Sequence, residues 1–312
     1  MSVKKLFMLK KVSFLLDEGT VCRLGDKIEN LMENLAAHDL KVEKIRNFSD
    51  GEEMSGEYFE KEESKEACPM ATAISGDRKN TLYITDRVEI YAALRERGQY
   101  VLPYYHERNR SASFPGALYV MEKLEETDCE SLDMAYRRLA GLPWDILETS
   151  RLSVRETTVE DVEDFYRIYG ESSITAYMED LFQDRDEEIA YTKNYIETVY
   201  AFYGYGMWTV LEKESGTVVG RAGISWREGY ELPELGFVIG VPWQGRGYAF
   251  EVCAAILTYA KEELHMERVQ ALVQPENEKS LRLCESLGCT VSGETAFDGV
   301  NHLFLVKVLK RE

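Results

Sequence analysis

The sequence predicts a two-domain α/β protein. Three observations carry that expectation. Strand-like and helix-like runs alternate through the first half. A seam, GLPWDILETS at 141–150, interrupts the alternation, and the grammar changes after it. The second half then builds strands and a hairpin toward one glycine-rich turn that opens a helix. A chain of 312 residues fits about two domains. The boundary is placed at Glu148, giving domains 1–148 and 149–312.

In the first half, KVSFLLD reads as a strand and Asp26 to Ala37 as a helix with Ile28, Leu31, Met32 and Leu35 on one face. TLYITD is a strand ending at Asp86, VEIYAALRERG a helix stopped by Gly98, and QYVLPYY and GALYVME further strands. This order implies a small doubly wound α/β layer. TLYITD followed by a helix resembles haloacid-dehalogenase-like or receiver-like domains over a few dozen residues, without a DxDx[TV] nucleophile motif. Open α/β sheets bind ligands at strand ends, yet Asp86 precedes a helix face of Val88, Ile90 and Leu94 and is read as its N-cap. Tyr104, Tyr105 and His106 are read as packing residues, and the charge-rich GEEMSGEYFEKEESKE as a solvated loop.

An amphipathic run, Ser131 to Leu139, closes the first half and is ended by Gly141 and Pro143. RLSVRE then alternates as a half-buried strand does. TTVEDVEDFYRIYG is a helix with acidic residues in its first turn, where the helix end is positive. A second helix spans Asp186 to Phe202. MWTVLEKE and TVVGRAGISW form a hairpin about Ser215 and Gly216, and ELGFVIG is the next strand.

VPWQGRGYAFE follows. Pro242 cannot donate to a sheet ladder, so pairing stops there. Gln244, Gly245, Arg246 and Gly247 turn into a helix whose apolar positions include Phe250, Val252, Ala255, Ile256 and Tyr259. The first amides of a helix lack internal partners, and its dipole favours an anion there. Gly245 and Gly247 leave those amides open to close approach, and Arg246 adds a cation. The inference is a diphosphate seat. It is neither a Walker loop, since no Lys-Ser/Thr follows, nor GxGxxG, since Phe250 takes the third glycine's place. Downstream, RVQALVQPENEKSLRLCESLGC reads as a strand, a Pro-containing turn and a short helix ended by Gly288.

With these residues in place, the second half resembles the GCN5-related N-acetyltransferase (GNAT) superfamily, and within it the branch of the ribosomal-protein N-terminal acetyltransferases. The matching residues are Gln244-x-x-Gly247-x-Ala249, then Asn277 and Ser280 in PENEKS, then LCESLGC, in order over 151–309. The resemblance implies a mixed, splayed sheet flanked by helices and acetyl-CoA as cofactor. It implies that Phe237, Val238 and Ile239 carry the pantetheine arm, and that backbone groups of Gln244, Gly245, Arg246, Gly247, Tyr248 and Ala249 hold the pyrophosphate. Asn277 and Ser280 would meet the cofactor or order the strands beside it; from the residues alone, Asn277 is a helix N-cap.

Acetyl transfer to an amine needs a neutral amine, a polarised thioester carbonyl and a proton for the departing sulfur. A lysine amine has a pKa of about 10.4 and an α-amino group about 7.7–8.0, so deprotonation costs less for the latter. Glu234 opens the strand that leads to the seat and matches the branch's E-[IL]-G-[YF] pattern; it is the expected general base. A backbone N–H near Val238 or Ile239 is expected to meet the oxyanion. Many members place a tyrosine acid seven residues after the asparagine. Cys284 stands there, as a candidate acid or as a small buried hydrophobe. Tyr177, Glu179, Asp180 and Asp184 would form an electronegative acceptor rim.

The formal net charge of -19 argues against nucleic acid and anionic membranes as partners. Six scattered cysteines and four separated histidines give no zinc or other metal spacing. Lys10 and Lys11 break the apolar start, so neither a signal peptide nor a membrane span is read, and a cytoplasmic protein is expected. The expected function is N-acetylation of a small-molecule or peptide amine. The alternative is an idle acyl-CoA-binding sensor attached to a functional first domain. For that first domain, homodimerisation, substrate recruitment and ligand sensing all stay open.

Overall fold

The computed structural model describes residues 7–44, 80–297 and 299–309. The chain divides into two compact units, Met1–Leu142 and Pro143–Glu312. GEEMSGEYFEKEESKE lies outside the described residues.

The first unit holds a parallel four-stranded sheet in the order β2-β1-β3-β4. Its strands are β1 Lys11–Leu15, β2 Lys41–Lys44, β3 Thr81–Thr85 and β4 Val101–Pro103. All five residues of β3 are buried, as expected for a central strand covered on both faces. Helices Asp26–Ala37 and Cys129–Ala140 share one core with Val12, Phe14, Leu82 and Ile84. Helix Val88–Glu96 packs on the other face with Leu15, Tyr83 and Val101. The layer is therefore doubly wound.

Two expectations for this unit fail. GALYVME is not a strand: it contributes a single bridge, Tyr104 to Met121, and leaves Leu118 80% exposed. Its apolar residues mimic a strand without a sheet edge to bury them. Nor is Asp86 an N-cap, the place taken by Arg87. Buried Asp86 accepts the Asp17 N–H at 2.9 Å on Oδ1, and its Oδ2 meets His106 Nε2 at 3.2 Å. It ties together the loops that follow β1, β3 and β4.

The second unit begins earlier than Glu148. Strand β5, Asp145–Glu148, pairs antiparallel with β6, Leu152–Arg155. The Thr149 N–H bonds the Leu152 carbonyl at 2.8 Å, so the seam holds a strand and ends in the turn of a hairpin, and both strands stay in one sheet. The other strands are β7 Met207–Glu212, β8 Val218–Ser225, β9 Glu234–Ile239, β10 Arg268–Val273, β11 Thr290–Phe297 and β12 Val300–Val308. Their order is β11-β12-β10-β9-β8-β7-β6-β5. All neighbours are antiparallel except β9 and β10, which are parallel and share one register pair, Gln270 with Glu234.

Successive strand residues point to opposite faces, and the two cores obey this alternation. Val210, Val219 and Ile239 pack with the helix Tyr248–Glu262, whereas Leu211, Val218 and Val238 pack with the helix Val162–Tyr169. The former helix buries Tyr248, Val252, Cys253, Ile256, Leu257 and Ala260 at helical spacing. Phe250, expected on that face, is 46% exposed. The helix expected from Asp186 to Phe202 is α-helical over Arg185–Tyr195 and then passes through a π-helical turn, Ile196–Tyr200.

Candidate active site

The site starts where β9 loses a neighbour. Beyond Glu234, no residue of β9 pairs with β10. On its other side, β9 stays paired with β8 through Ile239, and the Gly240 N–H bonds the Val219 carbonyl at 2.9 Å. In an antiparallel ladder the bonding side alternates. Val238 therefore shares Gly240's side and faces β8, while Phe237 and Ile239 turn their amide groups toward the gap. Of the two amides expected to meet an oxyanion, Ile239 faces the gap and Val238 does not. The Ile239 carbonyl already accepts Gln244 Nε2 at 3.0 Å, which fastens the turn to the strand end.

The turn itself runs from Val241 to Gly247. Pro242 sits in a 3₁₀ turn, Val241–Trp243. Gly245 and Gly247 have φ of +74° and +79°, a region that side-chain-bearing residues enter at a cost of roughly 1–2 kcal/mol. A Cβ on Gly245 would meet nothing within 4 Å, and one on Gly247 only Arg151 Nη2 at 3.6 Å. Space in front of the turn is thus open. Gln244, Gly245, Arg246 and Gly247 are all exposed, at the N-terminus of a 15-residue helix. Tyr248 is buried, and its hydroxyl donates to Glu212 at 2.6 Å, so only its backbone belongs to the seat.

Sequence reading missed the residue that braces this turn. Arg151 Nη1 donates to the Arg246 carbonyl at 2.9 Å, its Nε donates to Glu251 at 2.7 Å, and its guanidinium lies 4.6 Å from the Tyr248 ring centre. Burial pushes the Glu251 carboxyl up, but bonds from the Thr149 hydroxyl, the Arg151 backbone and guanidinium, and the Ser150 hydroxyl outweigh it and hold the group at about 2. Arg151 lies 95 residues from Arg246 in sequence, too far for any local pattern. Lys279 Nζ, 3.5 Å from Gln244 Oε1, adds a second cation from the other side.

Asn277 caps the helix Glu278–Ser286 by accepting the Ser280 N–H at 3.2 Å. Both residues are half-buried. Cys284 is fully buried in the core, and its bond to Cys289 together with burial pushes its thiol up. Its surroundings are those of a small buried hydrophobe.

Glu234 stands at the fork between β9 and β10, 8% exposed. Arg227 grips it bidentately, Nε to Oε2 at 2.6 Å and Nη2 to Oε1 at 3.0 Å. Arg227 also lies 3.7 Å from Glu179 and over the Phe297 ring at 4.3 Å. A carboxylate has about four acceptor sites, so the pair leaves two for a substrate proton or water. Beside it, the Gln270 side-chain amide is buried with neither atom bonded. Of the acceptor rim, Glu179 reaches Arg227, Asp180 turns to its neighbour's N–H, and Asp184 caps the next helix.

Residues 151–290 match the acetyltransferase (GNAT) domain. The second unit is a GNAT acetyltransferase domain. It is similar to the uncharacterized N-acetyltransferase YnaD of Bacillus subtilis, 28% identical over 148 residues, or 47% of this chain and 84% of that one. It is also similar to the [ribosomal protein uS5]-alanine N-acetyltransferase of Escherichia coli, 35% identical over 95 residues, or 30% of this chain and 47% of that one. A solved GNAT-family acetyltransferase from Bacillus anthracis is 21% identical, with a TM-score of 0.46, covering 52% of this chain and 98% of that one. The GNAT unit is an acetyl-CoA-dependent N-acetyltransferase, an enzyme acting on amino groups.

The residues present fit coenzyme A. The two positive-φ glycines leave open space where a pyrophosphate would be held, and Arg151 and Lys279 bond the residues of that turn. The gap-facing amides of Phe237 and Ile239 are of the kind a pantetheine arm bonds.

Proposed function

We propose that the GNAT unit transfers acetyl directly to a primary amine, either a protein N-terminus or a small-molecule amine, with Glu234 as general base. One observation carries the reading: Glu234 sits where β9 and β10 part, at the head of the strand that leads to the glycine turn. Amides of Gly245 to Ala249 bind the pyrophosphate, and Phe237 aligns the pantetheine. Bound acetyl-CoA supplies an acetyl group activated as a thioester. Arg227 holds the Glu234 carboxylate in place, and a free acceptor site on that carboxylate takes the amine's proton, directly or through water. The Ile239 N–H faces the developing oxyanion. No side chain is assigned the acid's part, since Cys284 is sealed in the core; solvent supplies that proton.

The relative that acetylates a ribosomal-protein alanine supports the α-amino acceptor, whose lower pKa makes deprotonation less costly. Five free cysteines among the described residues agree with a cytoplasmic setting, and no described helix is long and apolar enough to cross a membrane. The first unit, a parallel layer, has no part in the transfer as proposed.

A screen of amines and peptides for acetyl-CoA consumption tests the reading. Glu234→Gln should cut kcat by about 10²–10⁴ while coenzyme A affinity holds. Unchanged turnover in that variant removes Glu234 from the base's place. No turnover by the wild type with any amine favours the idle sensor.

A further inference from the structure

We propose that Arg221 receives a carboxylate of the acceptor, so that the amine acetylated here belongs to an amino-acid-like zwitterion. The proposal rests on acetyl transfer to an amine and narrows its substrate class.

Arg221 lies on β8, directly across from Val238 on β9 and Thr209 on β7. Paired residues share a face, so its side chain stands on Val238's side of the sheet, among the residues of the helix Val162–Tyr169. Its guanidinium carbon is 4.6 Å from the Phe165 ring centre. The Tyr169 hydroxyl bonds it. The residue is half-buried, yet its Nε is buried and has no hydrogen-bond partner.

What this guanidinium lacks is an acid. Arg137 holds Asp133, Arg155 holds Asp161, Arg151 holds Glu251 and Arg227 holds Glu234, all at 2.5–2.8 Å. Among the described residues, no ion pair within 4.0 Å is formed by Arg221, in a chain with 56 acidic and 37 basic residues. Taking a cation out of water carries a large penalty, of which one aromatic face and one hydroxyl return only part. The guanidinium offers five N–H donors in a planar fork suited to a carboxylate. An arriving carboxylate supplies the missing partner.

Its place in the sheet sets what the carboxylate is attached to. Val238 lies between Phe237 and Ile239, whose amides line the gap, so Arg221 addresses the same short segment from the acceptor's face. Glu234 is four residues away along β9, roughly 13 Å at 3.3 Å per residue. The two side chains and a water bridging to Glu234 take up much of that backbone separation, which leaves room for a compact molecule, its carboxylate toward Arg221 and its amine toward Glu234 and the thioester. Exposed Glu179, which lies 3.7 Å from Arg227 beside Glu234, suits the cationic end of the same molecule.

The test compares matched amines on the full-length protein. A set of free amino acids is offered beside the corresponding carboxamides and decarboxylated amines, and kcat/KM is read from acetyl-CoA consumption. Wild type should favour the carboxylate-bearing member by about 100-fold, and Arg221→Gln should lose that preference while turning over the amines that lack a carboxylate as before. Arg221→Lys, which keeps the charge but loses the fork, should fall between. Equal loss on all three classes, or a preference that survives Arg221→Gln, overturns the proposal. Melting temperature and coenzyme A affinity control for folding, and a Gln variant that fails to fold leaves the Lys variant to decide. Should no amine be acetylated at all, the transfer reading fails separately. Calorimetry with the amino acids on the coenzyme A-loaded protein then decides this one: saturable binding weakened in Arg221→Lys upholds it, and binding unchanged in that variant, or no saturable binding at all, overturns it.

Discussion

Replacing Gly247 by Glu should abolish coenzyme A binding with only a modest loss of stability, and the structure supplies the size of each effect. At φ +79° any side chain costs roughly 1–2 kcal/mol. No steric penalty adds to this, because the nearest atom to a new Cβ is Arg151 Nη2 at 3.6 Å, an ordinary contact. Melting should therefore drop by roughly 2–8 °C. At the seat the effect is far larger. A carboxylate about 4 Å from a phosphate, at an effective dielectric of about 20, repels it by about 4 kcal/mol, or on the order of 1,000-fold in affinity. Gly247→Ala isolates the backbone share and should weaken binding by about tenfold or less. Gly216, at φ +69° with nothing within 4 Å of a Cβ, is the control: Glu there meets the same backbone cost in a hairpin turn and should leave affinity untouched. Titration calorimetry with coenzyme A reads all three variants. A folded Gly247→Glu protein that binds within threefold of wild type would refute the placement of the pyrophosphate.

Two further outcomes follow from buried groups. Cys284→Ala should lower stability by on the order of 1 kcal/mol through a small cavity and leave kcat within twofold, whereas a true acid would cost about 10² or more; stopped assays beside a thermal melt separate the two. Glu251 has its folded pKa depressed from 4.5 to about 2, so its stabilising share is complete above pH 4.5 and fades as pH falls toward 2. Glu251→Gln should melt below wild type near pH 7, with the difference closing between pH 4.5 and 2; a difference independent of pH would deny the charge its part.

The glycine turn was legible in the sequence because every ingredient is local: Pro242 stops the ladder, Gly245 and Gly247 permit positive φ, and apolar spacing announces the helix. Asn277 was legible for the same reason, as a cap three residues before the amide it receives. Partners brought together by the sheet were not. Arg227 is seven residues from Glu234, but only the return of β9 beside β8 turns them toward each other. Arg151 meets Arg246 from 95 residues away in the chain. GALYVME and Phe250 show the opposite error, where apolar residues fit a local period but the fold leaves several of them in water. Asp86 fitted a cap by position, yet its buried side chain had a stronger claim on it from Asp17 and His106.

Strand β5 bears on how this enzyme can be dissected. The family match begins at residue 151, after β5 has already run. A fragment cut there would strip the outermost strand from the sheet, leave the backbone groups of β6 without their neighbour, and delete the Thr149 and Ser150 hydroxyls that bond Glu251. Bare strand edges invite pairing between molecules. Excision at Pro143 keeps that border sealed, and the eight residues ahead of the shared domain act as its selvedge.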